Sequence, residues 1–114
     1  MTGKIIKTAF FLLLMSFGLN QMASTEDLNV QWIKEFGSKG PDFCQGMTCD
    51  PEGNIIVTGY TEGTLGENRH VGGADILIAK YSAAGEELWT RQLGTVESDH
   101  GDSIACDQQG NIFV

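Results

Sequence analysis

Asp50-Pro51-Glu52-Gly53-Asn54-Ile55-Ile56-Val57 returns 57 residues later as Asp107-Gln108-Gln109-Gly110-Asn111-Ile112-Phe113-Val114. Widening the comparison to Asn29–Val57 against Glu86–Val114 gives 9 identities in 29 positions, where chance gives about two at ordinary residue frequencies. The matched pairs outside the quoted stretch are Trp32/Trp89, Gly37/Gly94, Asp42/Asp99 and Cys49/Cys106, and Lys34/Arg91, Phe36/Leu93 and Met47/Ile104 are conservative replacements between them. A period of this size, carried by Gly, Trp and short apolar runs, marks a supersecondary unit that buries its faces only by stacking on neighbours.

The repeated phrase itself reads as a hairpin. Pro51 presets the first central position of a turn, and Gly53 supplies the positive φ that a type I turn with a following bulge requires. Before it, Gly46 to Cys49 is a brief apolar piece; after it, Asn54 to Thr58 is rich in β-branched residues, as strands are. Ile104 to Val114 is the second copy of this hairpin, with Asp107-Gln108-Gln109-Gly110 as its turn. The stretch Tyr60 to Gly73 holds four glycines without apolar periodicity and reads as a connecting loop. Ala74 to Tyr81 is the longest strand candidate, and Ser82-Ala83-Ala84-Gly85 turns it into Glu86 to Leu93. Four antiparallel strands joined by three connections form one sheet.

An all-β sheet of this kind, repeated, is the blade of a β-propeller. Residues 30–114 then hold about one and a half four-stranded antiparallel blades: Val30 to Phe36 as a closing strand, Gly46 to Leu93 as a full blade, and Ile104 to Val114 as half of the next. A propeller usually takes at least four blades, so the sequence reads as the N-terminal part of a longer repeat protein, with further blades of the same chain expected, or as a truncated reading frame. Alone, it would expose strand edges at Val30 and Val114, a liability for stability.

Upstream, Lys4 and Lys7 precede an uncharged apolar run from Thr8 to Phe17 that is too short to span a bilayer as a helix. Residues 1–23 read as a signal peptide, cut after Gly18 or Ala23, and 24–29 as a short linker. The expected location is secreted, periplasmic or cell-surface, without an integral membrane span once the signal is removed. The whole chain carries a net charge of −8; the exported part keeps five basic residues, Lys34, Lys39, Arg69, Lys80 and Arg91, against 15 acidic ones. Such an acidic chain without a Lys/Arg cluster is a poor candidate for binding nucleic acid or anionic lipid, and no nucleic-acid partner is expected.

The three cysteines leave at least one thiol unpaired within the chain; Cys49 and Cys106, at one repeat position, read as small buried apolar residues. Cys44 and Cys49 are close enough in sequence for a disulfide, and no cysteine or histidine has metal-ligand spacing. Asp50, Glu52, Asn54, Asp107 and Asn111 have the oxygen chemistry of a calcium loop, yet Pro51 and Gly53 stand where further ligands would be needed. Turn chemistry accounts better for them, with Asp50 and Asp107 accepting backbone N–H groups. Trp32 and Trp89 fit wedges between neighbouring blades; exposed, they would be platforms for a sugar. The acidic, Gly-rich loop Glu62 to Gly73 is the natural place for a binding contact, through Glu67, Asn68, Arg69 and His70. Glu86/Glu87 and Asp99/Asp102 are carboxylate pairs, but no nucleophile, base and orienting group can be assembled and no P-loop occurs.

Two resemblances follow from these residues. The order Trp32, Gly37, Asp42, Asp50-x-x-Gly53-Asn54-Ile55-Ile56-Val57-Thr58-Gly59-Tyr60-Thr61, then Gly72-Gly73-Ala74-Asp75-Ile76-Leu77-Ile78-Ala79-Lys80-Tyr81, Gly85 and Trp89 resembles the SBBP family of bacterial β-propeller repeats, from about Trp32 to Val114. It departs in having Cys44 where the second copy has Gly101. The resemblance implies a secreted or surface propeller with no family-wide catalytic residues. Ala79 to Trp89 is similar to the tryptophan-docking segment of quinoprotein propellers, with Tyr81 and Ala84 as departures. The expected function is a non-catalytic exported scaffold that binds a protein or carbohydrate, without cofactor or metal. The alternative is part of a propeller enzyme, quinoprotein-like or polysaccharide-acting, whose site lies in other blades. Architecture alone does not decide between them.

Overall fold

The computed structural model describes residues 29–114; the expected signal segment 1–23 and linker residues 24–28 lie outside the described residues. Six strands follow in chain order: β1 Asp42–Cys49, β2 Ile55–Thr61, β3 Asp75–Tyr81, β4 Glu87–Leu93, β5 Ala105–Cys106 and β6 Ile112–Phe113. Strands β1 to β4 form one antiparallel sheet in the order β1-β2-β3-β4, and β5-β6 form a second, two-stranded one. The described residues are therefore all-β, one four-stranded unit and the hairpin of the next. No described helix is long and apolar enough to cross a membrane.

The sheet forms where the sequence supplies β-branched residues on both sides of tight turns. Gly53, Gly85 and Gly110 close the β1–β2, β3–β4 and β5–β6 turns at φ of 81°, 85° and 84°, angles at which a side chain would be strained. In β3 burial alternates, with Asp75, Leu77, Ala79 and Tyr81 inward. Ile56 and Leu77 are almost wholly buried; each contributes about 1.5–3 kcal/mol on burial. Val57, Ala79 and Tyr81 form the core, with Trp32, Phe36 and Ile55 packed on it.

Five expectations need correction. Val30 to Phe36 forms no strand. A ladder needs an adjacent partner, and this segment instead places Trp32 and Phe36 on the sheet at Tyr81, while its repeat equivalent β4 pairs along β3. Strand β1 is longer than Gly46 to Cys49, because Asp42, Phe43 and Cys44 pair with Thr61, Tyr60 and Gly59 before a bulge at Gln45 breaks the alternation. The long loop accordingly starts after Thr61, and the second hairpin has only the pairs Ala105–Phe113 and Cys106–Ile112. Finally, Cys49 is exposed and Cys106 half-buried, and with Cys44 all are free thiols. Cys49 lies on edge strand β1, where being small and apolar does not bring a covering layer.

The second unit is built onto the first. Gly101 N–H donates to Gly59 C=O at 3.1 Å and Asp99 N–H to Ala74 C=O at 2.7 Å. Strand β5 packs beside β1. A Cβ on Gly101 would collide with Thr58 Oγ1 and crowd the Gly59 carbonyl, so this approach needs glycine.

Candidate functional site

The turn carboxylates are used up locally. Asp50 Oδ1 accepts the Glu52 and Asn54 N–H groups at 2.9 Å each, and Oδ2 accepts Asn54 Nδ2 at 2.8 Å. Asp107 repeats the arrangement with Gln109 N–H, Asn111 N–H and Asn111 Nδ2. Asp50 has one further partner, Lys80 Nζ at 2.7 Å. That ammonium first, and the Asn54 side chain second, hold the Asp50 carboxyl far below the usual carboxylate range, and Asp50 in turn raises Lys80. Asn111 is the main cause lowering Asp107. No group of three or more His, Cys, Asp or Glu among the described residues could hold a metal ion.

A second bracket recurs one connection earlier. Ser38 N–H donates to Asp42 Oδ2 and its hydroxyl to Oδ1, while Thr95 N–H and Oγ1 both donate to Asp99 Oδ2. Gly40 N–H and Glu97 N–H then donate to the Ser38 and Thr95 hydroxyl oxygens. Only the aspartates of this bracket are identical between copies; the Ser/Thr exchange conceals the rest of it from a count of identities.

At the open end of the sheet these brackets lead into a buried polar cluster. Asp75 is fully buried, and its Oδ2 accepts Val71 N–H at 2.9 Å and Gln92 Nε2 at 2.7 Å. His70 Nδ1 stands 3.2 Å from the same oxygen. Gln92 Nε2 also donates to Gly63 C=O at 2.8 Å and lies 3.3 Å from His70 Nδ1; with both amide hydrogens used on Asp75 and Gly63, this network assigns the proton between His70 and Asp75 to Nδ1. Its Nε2 makes no hydrogen bond among the described residues. Gln92 Oε1 accepts Leu65 N–H at 2.9 Å, which lets Leu65 lie buried inside a loop without an orphaned donor.

Beside this cluster is a cleft of ≈ 420 Å³, lined by Phe36, Leu65, Glu67, Asn68, Glu87, Thr90 and Arg91 with Gly37 and Gly66. Three sequence-distant segments make it: the residues after Trp32, the 62–74 loop and strand β4. Glu87 Oε1 accepts Thr90 Oγ1, Asn68 Nδ2 donates to Leu65 C=O, and Arg91 Nη1 donates to Thr90 C=O. Of the four loop residues expected to bind, Glu67 and Asn68 line this cleft, His70 turns inward to Asp75, and Arg69 faces solvent. The sequence marks Glu87 only as half of a carboxylate pair, Leu65 only within the loop Glu62 to Gly73 and Asp75 only in the Gly-Gly-Ala-Asp run, while Phe36, Thr90, Arg91 and Gln92 carry no site signal.

The tryptophans occupy different surroundings. Trp32 Nε1 donates to Ala83 C=O at 2.9 Å, and its ring lies over Gly85, where a Cβ would approach within 2.8 Å. Trp89 is half-buried on β4 with the Arg91 guanidinium 5.7 Å from its ring centre. A third aromatic group joins the units: Tyr60 stacks between Phe43 at 4.8 Å and His100 at 4.1 Å. Phe43 and His100 are repeat equivalents. Burial raises the Tyr81 hydroxyl well above its ordinary range and pushes up the Cys44 thiol.

Residues 31–67 match the SBBP family, a beta-propeller repeat. The matched stretch runs from beside Trp32 through β1 and β2 to Glu67 at the cleft. The chain has no match among curated proteins.

Proposed function

From the premise of an SBBP-type propeller repeat, we propose that this protein is a non-catalytic, exported scaffold that takes its ligand in the cleft between the 62–74 loop, β4 and Phe36. The observation that carries this reading is the cleft itself. Its ≈ 420 Å³ fall within the range of small-molecule sites, and its lining sets Phe36 and Leu65 beside polar side chains from the loop, Glu67 and Asn68, and from β4, Glu87, Thr90 and Arg91. The loop that forms one wall is anchored rather than free, through Leu65 and Val71 N–H bonds to Gln92 and Asp75. Export is supported by Lys4 and Lys7 ahead of the Thr8 to Phe17 run.

Nuclear magnetic resonance titration of the ¹⁵N-labelled protein with a chemically mixed small-molecule library tests the site. Shifts are expected to concentrate at Leu65–Asn68 and Thr90–Arg91; binding confined to other surfaces, or turnover of a library member, overturns the reading. Expression from the full gene in a bacterial host tests export, with a mature chain expected to begin at Leu19 or Ser24. Retention of Met1 in the cytoplasm would refute it.

One observation favours the enzyme alternative: His70, held through Nδ1 by buried Asp75 with Nε2 open, has the orientation that a general base requires. No hydroxyl or thiol hydrogen-bonds to it among the described residues, so the pair supplies one part of such a site.

A further inference from the structure

We infer that the cleft ligand is a neutral, polyhydroxylated ring, the pyranose unit of a saccharide, an inference that rests on the binding-scaffold reading and names its ligand class. The argument starts from what the lining offers once its internal bonds are subtracted. Glu67 has no hydrogen bond or ion pair among the described residues, Glu87 has one oxygen committed to Thr90, and Asn68 keeps its carbonyl oxygen because only Nδ2 is engaged. Arg91 has one nitrogen committed to a backbone carbonyl and its other N–H groups to give. The rim therefore presents free acceptors and free donors within one cleft, which matches hydroxyl groups, since each can donate and accept.

Charge narrows the class. Glu67 and Glu87 oppose an anion, and Arg91, a further lining residue whose guanidinium lies 5.7 Å from the Trp89 ring centre, opposes a cation. A neutral ligand uses all three without repulsion. The apolar residues of the floor are Phe36, half-buried and so still able to meet the C–H face of a sugar ring, and Leu65, almost wholly buried. Both floor residues are fixed from behind. Phe36 rests on Tyr81 with ring centres 5.7 Å apart, and Leu65 is held by Gln92, which makes Gln92 a positioning residue for the site.

The test titrates the intact protein with a panel of neutral methyl glycosides and neutral oligosaccharides, with galacturonate as an anionic probe and N-acetyl-lysine methylamide as a cationic one. At least one neutral saccharide should shift Leu65–Asn68 and Thr90–Arg91, with an affinity that changes less than about twofold between low and moderate salt because no charge is neutralised. Glu67→Gln, on an exposed loop position, should weaken that binding about tenfold, the loss of one hydrogen bond to a charged acceptor, while leaving the fold unchanged. Selective, salt-sensitive binding of the anionic or cationic probe in the cleft overturns the ligand class and leaves the scaffold reading standing. Binding of panel members only at other surfaces, unaffected by Glu67→Gln, overturns both.

Discussion

Lys80 of β3 grips the β1–β2 turn: its Nζ lies 2.7 Å from Asp50 Oδ2, on a side chain only 3% exposed. The lowered Asp50 value means that its stabilisation is present above the unfolded carboxylate pKa, near 3.9, and is lost as pH falls from there toward the folded value. The raised Lys80 value acts on the opposite side, present below about 10.4 and lost as pH rises through the folded value. In acid titrations followed by circular dichroism, Lys80→Met should unfold at a higher pH than the parent. Asp107→Asn, at the turn that has no lysine partner among the described residues, should move the acid midpoint less.

The turn glycines separate strain from collision. At Gly53 an added Cβ meets nothing within 4 Å, so Gly53→Ala should cost only the left-handed backbone penalty, about 1–2 kcal/mol. Gly85→Ala carries the same penalty and also drives a Cβ into the Trp32 ring. Denaturant unfolding should show the larger loss for Gly85→Ala, together with a changed Trp32 emission that Gly53→Ala lacks.

Gln92 satisfies three groups at once: the buried Leu65 N–H and Asp75 Oδ2 and the half-buried Gly63 C=O. Gln92→Leu should therefore destabilise by about 1–3 kcal/mol for each group left unpaired. Amide hydrogen exchange should show the loss of protection centred on Leu65 and the surrounding loop. Uniformly faster exchange across β1 to β4 would assign Gln92 to the sheet and not to the loop.

His70 should be found as the Nδ1–H tautomer when neutral, because the Asp75 carboxylate accepts a hydrogen bond from that N–H and the Gln92 amide hydrogens are engaged elsewhere. Imidazole ¹⁵N shifts read this directly. An Nε2–H tautomer would mean that Nδ1 accepts a bond, and the assignment of the cluster would be reversed.

Much of the sheet was legible in the chain, and much of the site was not, for reasons visible at individual residues. Gly53 and Gly110 could be placed in turns because few residues tolerate their φ, and Ile55-Ile56-Val57 could be placed in a strand from its β-branched run. The 57-residue offset then carried one unit onto the next. The cleft, in contrast, depends on register. Gln92 faces the core because it pairs opposite Leu77, and only that register brings its amide to Leu65, 27 residues earlier. Leu65 itself stands in a Gly-rich loop, where nothing in the local pattern indicates burial. Phe36 was read as part of a strand; it reaches the cleft because the segment crosses the sheet as an unpaired chain. Cys49 shows the converse error, since a small apolar residue on an edge strand follows the edge and not its own hydropathy.

The bonds that Gly101 and Asp99 make to Gly59 and Ala74, with His100 laid on Tyr60, set an order of events for a chain that leaves the ribosome N-terminus first. The acceptors and the ring belong to the earlier unit, so they are in place before their later partners emerge. Each unit thus serves as a template for the next, and a defect at Tyr60 or Gly59 should be inherited downstream, while one at His100 spares what was already made.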